Sequence, residues 1–238
     1  MKRRAICTDP SWAGRADCVH CAIRNRVLFA TLTVDELNDA LLEIDDLVYR
    51  SGAVIYRHGE AGSALFTIRR GMVKLMGELP DGNQRIVRLL KIGDVVGLEV
   101  AIGSPYKHSA ITIGETELCR IPAPVIERLD ISHPKLARQF MVRWQNSLDN
   151  ADRALVEFST GTAEVRVARL LLHLSSLSKD GTCVDIGRQD MGSMLGITIE
   201  TASRVMADFR RRGAVGETGR GETCHCNVDL LKRIASPD

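Results

Sequence analysis

The pattern of hydrophobic and polar residues divides the chain into four segments. Residues 1–26 show no sustained apolar period, which predicts an irregular arm that is ordered only by what it binds. Thr33 and Glu36 then form a capping box, and apolar residues at helical spacing follow as far as Leu47. We therefore expect a short helix from Thr33 to Leu47.

Short β-rich runs occupy the segment from Val48 to Ile121. Turn residues, many of them glycine, separate these runs at intervals of about 8–12 residues, which is typical of an antiparallel sandwich or barrel. Asp81-Gly82 lies between two of the runs and predicts a hairpin turn. The runs begin at Val54, Leu65, Met72, Ile86 and Ala110.

A helical period begins at Pro134 and continues to Gly161. One apolar subset recurs at alternating spacings of four and three residues, which predicts the seam of a coiled coil between two chains. The alternative is the buried stripe of a helix that packs on its own barrel. Leu136 and Phe140 lie partly outside the seam, so we expect them to form a second apolar face against the barrel of the same chain. The predicted dimerisation seam contains Ala137, Met141, Trp144, Leu148, Ala151, Leu155 and Phe158.

Residues 161–238 have the layout of a helix-turn-helix unit, because several independent signals agree on its boundaries. The predicted elements are, in order, a helix over 163–177, a strand at Cys183, a helix that starts at Arg188, a glycine turn at Gly196, an N-cap at Thr198, a second helix to Arg212 and a β-hairpin wing over 214–221.

The second of these helices carries residues suited to reading DNA bases. Glu200, Ser203 and Arg204 lie at i, i+3 and i+4 and share the face of the first turn that enters the major groove. Arginine can bind guanine with two hydrogen bonds, and glutamate can accept one from cytosine. The alternative is an ordinary solvated helix with an arginine cluster. We expect Val205 and Phe209 to face inward, and DNA to contact Arg188, Thr198, Glu200, Thr201, Ser203, Arg204 and Arg210, with Arg211 and Arg212 as further phosphate contacts.

Composition narrows the class of protein but does not identify a partner. The 238 residues are enough for two modest domains, and 45% hydrophobic with 26% charged residues is the balance of a globular protein. No apolar run is long enough to span a membrane or to act as a secretory signal, so we expect a cytoplasmic protein without a membrane partner. A net charge of +2 is too small to indicate nucleic-acid binding, which therefore rests on the helix-turn-helix pattern.

The cysteines are the candidate chemistry of the chain. Seven thiols in a chain expected in a reducing compartment favour metal, cofactor or redox roles over disulfides. Cys18 and Cys21 form a Cys-x-x-Cys motif ahead of the first predicted helix. Cys183 is interpreted as a core residue, and Cys224-His225-Cys226 as an incidental pair.

The chain resembles the Crp/Fnr family of bacterial transcription regulators from about Cys18 to Arg233. The resemblance rests on Tyr56-Arg-His-Gly-Glu, Ile68-Arg-Arg-Gly-Met-Val-Lys, Gly93-Asp-Val-Val-Gly, the long helix and the segment from Arg188 to Gly213. It implies an α+β protein with a cysteine-containing arm (1–32), a cyclic-nucleotide-binding-like jelly-roll barrel (33–133), a dimerisation helix (134–160) and a winged helix-turn-helix domain (161–238).

The resemblance also implies a function. A member of this family would bind a palindromic operator in double-stranded DNA as a homodimer and contact RNA polymerase. The triplet Glu200, Ser203 and Arg204 is similar to that of the Fnr branch, whose half-site resembles TTGAT. The phosphate-binding cassette of the cyclic-nucleotide branch is not matched, because Glu99 is displaced in Gly97-Leu98-Glu99 and no Arg-Ser pair follows. We therefore expect no cyclic nucleotide.

The same resemblance suggests an oxygen sensor. In the Fnr branch, N-terminal cysteines and one barrel cysteine hold a [4Fe–4S] cluster, and this chain offers Cys7, Cys18, Cys21 and Cys119. The chain departs from that pattern because the usual third N-terminal cysteine is absent around positions 27–29, so Cys7 would complete the set. Zinc at these thiolates, a thiol–disulfide switch or another small effector are the alternatives.

Two other functional classes are weighed against a regulator. A metal-dependent cupin enzyme needs clustered histidines and carboxylates, whereas His58 and His108 are isolated and the chain has no His-x-His. A constitutive architectural DNA binder would not need a barrel with a cysteine arm. We therefore expect a regulator and not an enzyme.

Overall fold

The structure is a computed structural model that describes residues 10–18, 20–33, 36, 43–80, 82, 84–132, 134–177, 182–216 and 223–236. The chain divides into two compact units. The first contains residues 1–78 and 87–149, and the second contains residues 79–86 and 150–238.

The first unit is built on one seven-stranded sheet, which confirms the predicted β-rich segment. Its strands lie in the order β1, β2, β7, β4, β5, with β3 also paired to β7 and β6 to β4. The strands are β1 (Ser11–Arg15), β2 (Asp45–Tyr49), β3 (Val54–Tyr56), β4 (Ala64–Glu78), β5 (Gln84–Leu90), β6 (Val95–Val96) and β7 (Ser109–Pro122).

The two β-rich runs that begin at Leu65 and Met72 form one continuous strand, β4, in the structure. Gly71 lies between the two runs. Gly71 has a φ of +85°, and a Cβ there would lie 2.6 Å from the carbonyl oxygen of Glu115, so the position requires glycine. The register against β7 shifts around this point, and the strand continues beyond it. The glycine therefore marks a β-bulge within one strand.

The predicted hairpin is confirmed, since Gly82 has a φ of +79° between the neighbouring strands β4 and β5.

The prediction of a wholly irregular N-terminal arm is wrong. Strand β1 pairs antiparallel with β2 and becomes the edge of the sheet. Asp45 on β2 accepts hydrogen bonds from Trp12 Nε1 at 3.1 Å and from Arg15 Nη1 at 2.7 Å. These side-chain contacts fasten the arm to the sheet, because they join residues about thirty positions apart in the sequence.

The predicted helix from Thr33 to Leu47 is wrong at its end, because Asp45–Tyr49 is a strand. The capping box itself is present: the Thr33 N–H donates to Glu36 Oε2 at 2.7 Å, and the Glu36 N–H donates to Thr33 Oγ1 at 3.3 Å. Residues 37–42 lie outside the described residues.

Two helices, α1 (Ala123–Ser132) and α2 (Pro134–Ser159), follow β7. Leu136 and Phe140 near the start of α2 are buried in the core of the sheet unit, as predicted. Met141, Trp144, Leu148 and Leu155 are instead exposed large hydrophobic residues. The long helix therefore has one apolar stripe covered by its own chain and a second stripe open in the single chain.

Among its described residues, the second unit contains the end of α2, four further helices and a two-stranded sheet. The further elements are α3 (Ala163–Ser175), β8 (Thr182–Val184), α4 (Gly187–Leu195), α5 (Ile199–Arg211), β9 (Thr223–His225) and α6 (Val228–Ala235). Helix α6 was not predicted, although Asn227 is a regular N-cap that accepts the Leu230 N–H at 3.1 Å.

Among the described residues, no helix is both long and apolar enough to cross a bilayer.

Candidate nucleic-acid interface and cysteine sites

Helix α5 has the fixed start that a DNA-reading helix needs. Gly196 ends α4 in the left-handed conformation with a φ of +63°. Thr198 then caps α5 by accepting the Thr201 N–H at 3.2 Å. On the inner face Ala202, Met206 and Phe209 are buried, whereas Val205, predicted to face inward, is only half-buried. The turn and the cap therefore orient the opposite face of the helix.

The opposite face of α5 presents the predicted base-reading residues. Glu200, Ser203 and Arg204 are all exposed in the first two turns. The pKa of the Glu200 carboxyl is lowered by hydrogen bonds from its own backbone N–H and from the Thr198 hydroxyl. Glu200 is therefore a carboxylate at neutral pH, which can only accept hydrogen bonds.

The other predicted contact arginines are held by carboxylates of the chain. Arg188 donates to Asp185 at 3.1 Å. At the far end of α5, Arg211 donates to Asp208 at 2.9 Å, and Arg212 binds both Asp208 and Glu164. Arg210 is exposed. Phosphate binding by Arg188, Arg211 or Arg212 would therefore exchange an internal ion pair for an intermolecular one.

The base of the predicted wing lies beside β9. Val215 forms a β-bridge with Cys226, and the Gly216 N–H donates to the carbonyl oxygen of His225 at 2.9 Å. Residues 217–222 lie outside the described residues.

Arg24 links the Cys18–Cys21 segment to Leu32, which is buried in the core of the sheet unit. Arg24 donates to the carbonyl oxygens of Cys18 at 2.9 Å and Leu32 at 2.8 Å. Leu28 and Phe29, where the Fnr pattern has a cysteine, are buried in the core. These two side chains therefore anchor the end of the arm by apolar packing.

Cys119 lies beside the ion pair of Asp46 and Arg69, whose charges also act on Cys18. Its thiol donates to Asp46 Oδ1 at 3.2 Å, and Arg69 forms an ion pair with the same carboxylate. Burial, followed by the charge of Asp46, raises the pKa of Cys119 well above the usual range. Burial, followed by the charges of Cys21 and Asp46, raises the pKa of Cys18 to about 11. Both groups are therefore neutral thiols at physiological pH.

The described N-terminal cysteines fit part of the donor set of an iron–sulfur cluster. Cys18, Cys21 and Cys119 belong to one unit, and the charge of Cys18 acts on Cys119. They offer three of the four thiolates that a [4Fe–4S] cluster takes. Cys7, the fourth predicted ligand, lies outside the described residues. Electrostatic interactions link Cys18 to Cys21 and to Cys119, but the three sulfur atoms do not all lie within 4.8 Å of one another.

The structure instead brings together three thiols that the sequence treats separately. Cys183 Sγ lies 3.0 Å from Cys224 Sγ and 2.8 Å from Cys226 Sγ. Hydrogen bonds with Cys183 and Cys226 lower the pKa of Cys224, whereas hydrogen bonds with Cys224 and Cys226 raise the pKa of Cys183. Among the residues that the structure describes, this is the only group of three or more His, Cys, Asp or Glu side chains with ligand atoms within 4.8 Å.

The loop that corresponds to a phosphate cassette is closed by its own residues. Glu99 Oε1 accepts the Lys107 N–H at 2.9 Å. The rings of Tyr56 and Tyr106 stack at 3.6 Å, and the Tyr106 hydroxyl donates to the Ala64 carbonyl oxygen at 2.7 Å. Glu99 therefore stabilises the loop through a hydrogen bond to the backbone of Lys107.

Two protein families match separate parts of the chain. Residues 46–132 match the family described as Cyclic nucleotide-binding domain, and residues 165–234 match the Crp-like helix-turn-helix domain. The first match covers most of the sheet unit from β2 to α1. The second covers the segment from α3 to α6, which includes α5.

Several proteins are similar over most of the chain. The Transcriptional activator protein anr of Pseudomonas aeruginosa is 26% identical over 217 residues, which cover 87% of each chain. The Fumarate and nitrate reduction regulatory protein of Vibrio cholerae is 26% identical over 226 residues, which cover 90% of this chain and 89% of that protein. The solved structure of FixK2 from Bradyrhizobium japonicum superposes with a TM-score of 0.72 at 25% identity, covering 82% of this chain and 98% of that one.

The carboxylate of Asp46 predicts a measurable effect on thiol reactivity. Asp46→Asn removes a negative charge that raises the pKa of Cys18 and leaves Arg69 facing the thiols, so the pKa of Cys18 falls below about 11. Only the thiolate is alkylated, and a fall of about one unit raises its fraction at pH 8 about tenfold. Iodoacetamide labelling of the Cys18 peptide, followed by mass spectrometry, measures the rate.

The matched control is Glu117→Gln, which removes a carboxylate from the same sheet that pairs with Arg70 instead. Its labelling rate should equal that of the unmodified chain. An unchanged rate in Asp46→Asn, or an equal rise in both variants, would contradict this description of the site.

Proposed function

Because the chain belongs to the Crp/Fnr family of transcription regulators, we propose that it binds a palindromic operator as a homodimer, with α5 in the major groove. The chain is thus a DNA-binding regulator and not an enzyme. The observation that carries the proposal is the exposed triplet of Glu200, Ser203 and Arg204 on a capped helix whose other face is buried. A helix fixed in this way can hold base-reading groups at a constant depth.

The chemistry of the triplet supports a TTGAT half-site. That sequence contains a single G·C pair, and the triplet has one donor suited to guanine and one acceptor suited to cytosine. Arg204 would bind O6 and N7 of the guanine, while Glu200 accepts from N4 of its cytosine partner. Ser203 lies between them on the same face and suits a neighbouring A·T pair. Both strands of the central pair would therefore be recognised.

This assignment predicts the effect of removing the arginine. Arg204→Ala should weaken binding to a duplex with two TTGAT half-sites by about 1–3 kcal/mol, or about 5- to 150-fold, since the guanine contact is lost. It should also reduce the preference for G·C over A·T at the third position. Fluorescence anisotropy at fixed salt measures the two effects, with the TTGAT duplex and with a second duplex that has A·T in place of G·C at the third position of each half-site.

The control is Arg57→Ala, which removes an exposed arginine from the sheet unit and leaves affinity for both duplexes unchanged. An Arg204→Ala variant that loses affinity equally for both duplexes would be a phosphate contact, and the base-reading assignment would then be wrong.

The exposed stripe of α2 supports a homodimer. Met141 is 63% exposed, Leu148 56% and Leu155 70%, although all three lie on one seam with Ala137 and Trp144. Ala151 of the same seam is half-buried. Large apolar residues in a repeating stripe are typical of an interface that a second chain covers. Phe158 is the exception, because it is buried against His173 of its own chain at 5.7 Å between ring centroids.

A charge in this seam should weaken dimerisation. Leu148→Glu places a carboxylate from each chain at the same interface, which should weaken the dimer at least about tenfold, equivalent to about 1.4 kcal/mol. Sedimentation velocity at several protein concentrations gives the association constant. Asn146→Glu adds the same charge at an exposed position outside the seam and should leave that constant unchanged. Equal association of both variants would place the interface elsewhere.

For the sensory signal, we propose a [4Fe–4S] cluster held by Cys7, Cys18, Cys21 and Cys119. When bound, such a cluster supplies an iron centre that oxygen or nitric oxide attacks. The raised pKa values of Cys18 and Cys119 disfavour a simple thiol switch at neutral pH, because oxidation begins from the thiolate. A metal centre would overcome this barrier by stabilising the deprotonated sulfur.

The position of Cys119 supports a route from the cluster to the dimer seam. It lies on β7 four residues before Ala123, where α1 begins, and α2 follows α1 directly. A change at this thiol would therefore act on the segment that leads into the dimerisation helix. The dimer would in turn set the spacing of the two α5 helices on DNA and present a surface to RNA polymerase.

Iron content tests the ligand set. After anaerobic reconstitution, Ala variants of Cys18, Cys21 or Cys119 should each lose the iron, the sulfide and the visible absorption, because four thiolates are needed. The Cys7→Ala variant tests the fourth ligand. Cys183→Ala is the control and should keep its iron. Zinc instead of iron in the unmodified chain, or full iron content in the Cys18 and Cys119 variants, would contradict the proposal.

A further inference from the structure

We propose that Cys183, Cys224 and Cys226 form a binding site for a soft d10 metal ion such as Zn²⁺, separate from the N-terminal cysteines. The site lies in the second unit, between the strand that leads into the helix-turn-helix and the strand at the base of the predicted wing. The three sulfur atoms come from Cys183 of β8, Cys224 of β9 and Cys226 directly after β9, and Cys183 Sγ lies 3.0 Å from Cys224 Sγ and 2.8 Å from Cys226 Sγ.

The backbone register fixes the position of all three thiols. Strands β8 and β9 pair antiparallel with Cys183 opposite Cys224. Side chains alternate between the two faces of a strand, so Cys226 returns to the face of Cys224 while His225 is exposed. Cys183 and Cys224 are buried, and Cys226 is half-exposed. The trio is therefore preformed, with an opening to solvent at one member.

The donor chemistry favours a metal ion over a disulfide. Thiolates bind Zn²⁺ at about 2.3 Å, so two of them at a tetrahedral angle lie about 3.8 Å apart, which exceeds the present separations of 2.8 and 3.0 Å by about 1 Å or less. A disulfide would join only two of the sulfurs and leave the third without a role. Three soft thiolates with one open position are a donor set for zinc or monovalent copper. The fourth ligand would be a water molecule or an external group that enters beside Cys226.

The nearby charges are compatible with such a site. Three thiolates around one divalent ion carry a net charge of −1, and each neutral thiol that binds releases one proton. The guanidinium of Arg188 acts electrostatically on Cys224 and can compensate that charge. Arg188 is itself paired with Asp185, which accepts the Gly187 N–H where α4 begins. The metal would therefore fasten the start of the helix-turn-helix to the base of the wing.

Zinc binding to the full chain tests this inference. Because the N-terminal cysteines also bind metals under our proposed function, the test uses a full-length variant in which Cys7, Cys18, Cys21 and Cys119 are replaced by Ala. This variant should bind one Zn²⁺ per chain in competition with a chromophoric chelator, and Co²⁺ should give thiolate charge-transfer absorption. Loss of a residue that only supports a metal ligand lowers metal affinity about 10- to 100-fold. Adding Cys226→Ser removes a ligand itself and should therefore weaken zinc binding by more than that.

His225→Ala in the same background is the matched control, since its side chain lies on the other face of β9, and it should keep the zinc affinity. Zinc should also protect the three thiols of the unmodified chain from alkylation, which tests the site without any substitution. A background variant that binds zinc no better than Cys226→Ser, or a disulfide within the trio that forms in air despite zinc, would overturn the inference. Neither readout requires DNA binding, so failure of the operator proposal would leave them unaffected.

Discussion

Strand β7 is the constraint on which the first unit depends. It pairs with β2, β3 and β4, and β2 in turn pairs with β1 of the arm, so that the arm and the sheet form one hydrogen-bonded structure that leads into α1. Its register places Cys119 opposite Asp46 of β2 and Thr67 of β4. A one-residue slip would turn this thiol to the other face of the sheet. The position of the candidate sensory thiol is therefore a consequence of backbone pairing.

The sequence predicts the local features of the structure well. The Thr198 cap, the left-handed Gly196 and the exposed face of α5 depend on residues a few positions apart, and all are present. Leu136 and Phe140 are correctly assigned to the core because α2 has two apolar stripes. Strand β1 was missed, since its order depends on contacts between Trp12 or Arg15 and the distant Asp45. The length of β4 was missed because Gly71 permits a bulge as readily as a turn.

The cysteines show the limit of sequence analysis most clearly. Alternation along a strand predicts that Cys224 and Cys226 share a face, but nothing local indicates that Cys183 lies opposite them. The same limit applies to Cys119, whose neighbours come from β2 and β4. The two sites differ in electrostatics, since Asp46 and burial keep Cys119 neutral, whereas the C-terminal thiols lower the pKa of one member of their own group. Only tertiary structure distinguishes these environments.

In the proposed regulator, a dimer joins a DNA-reading helix to a cysteine-based sensor. The decisive measurement is a titration of one anaerobically reconstituted sample with a TTGAT palindrome and with a scrambled duplex, before and after exposure to air. We expect a strong preference for the palindrome without oxygen and a fall to the scrambled level in air, with the weak scrambled binding unchanged. Equal affinity for the two duplexes in both conditions would contradict it.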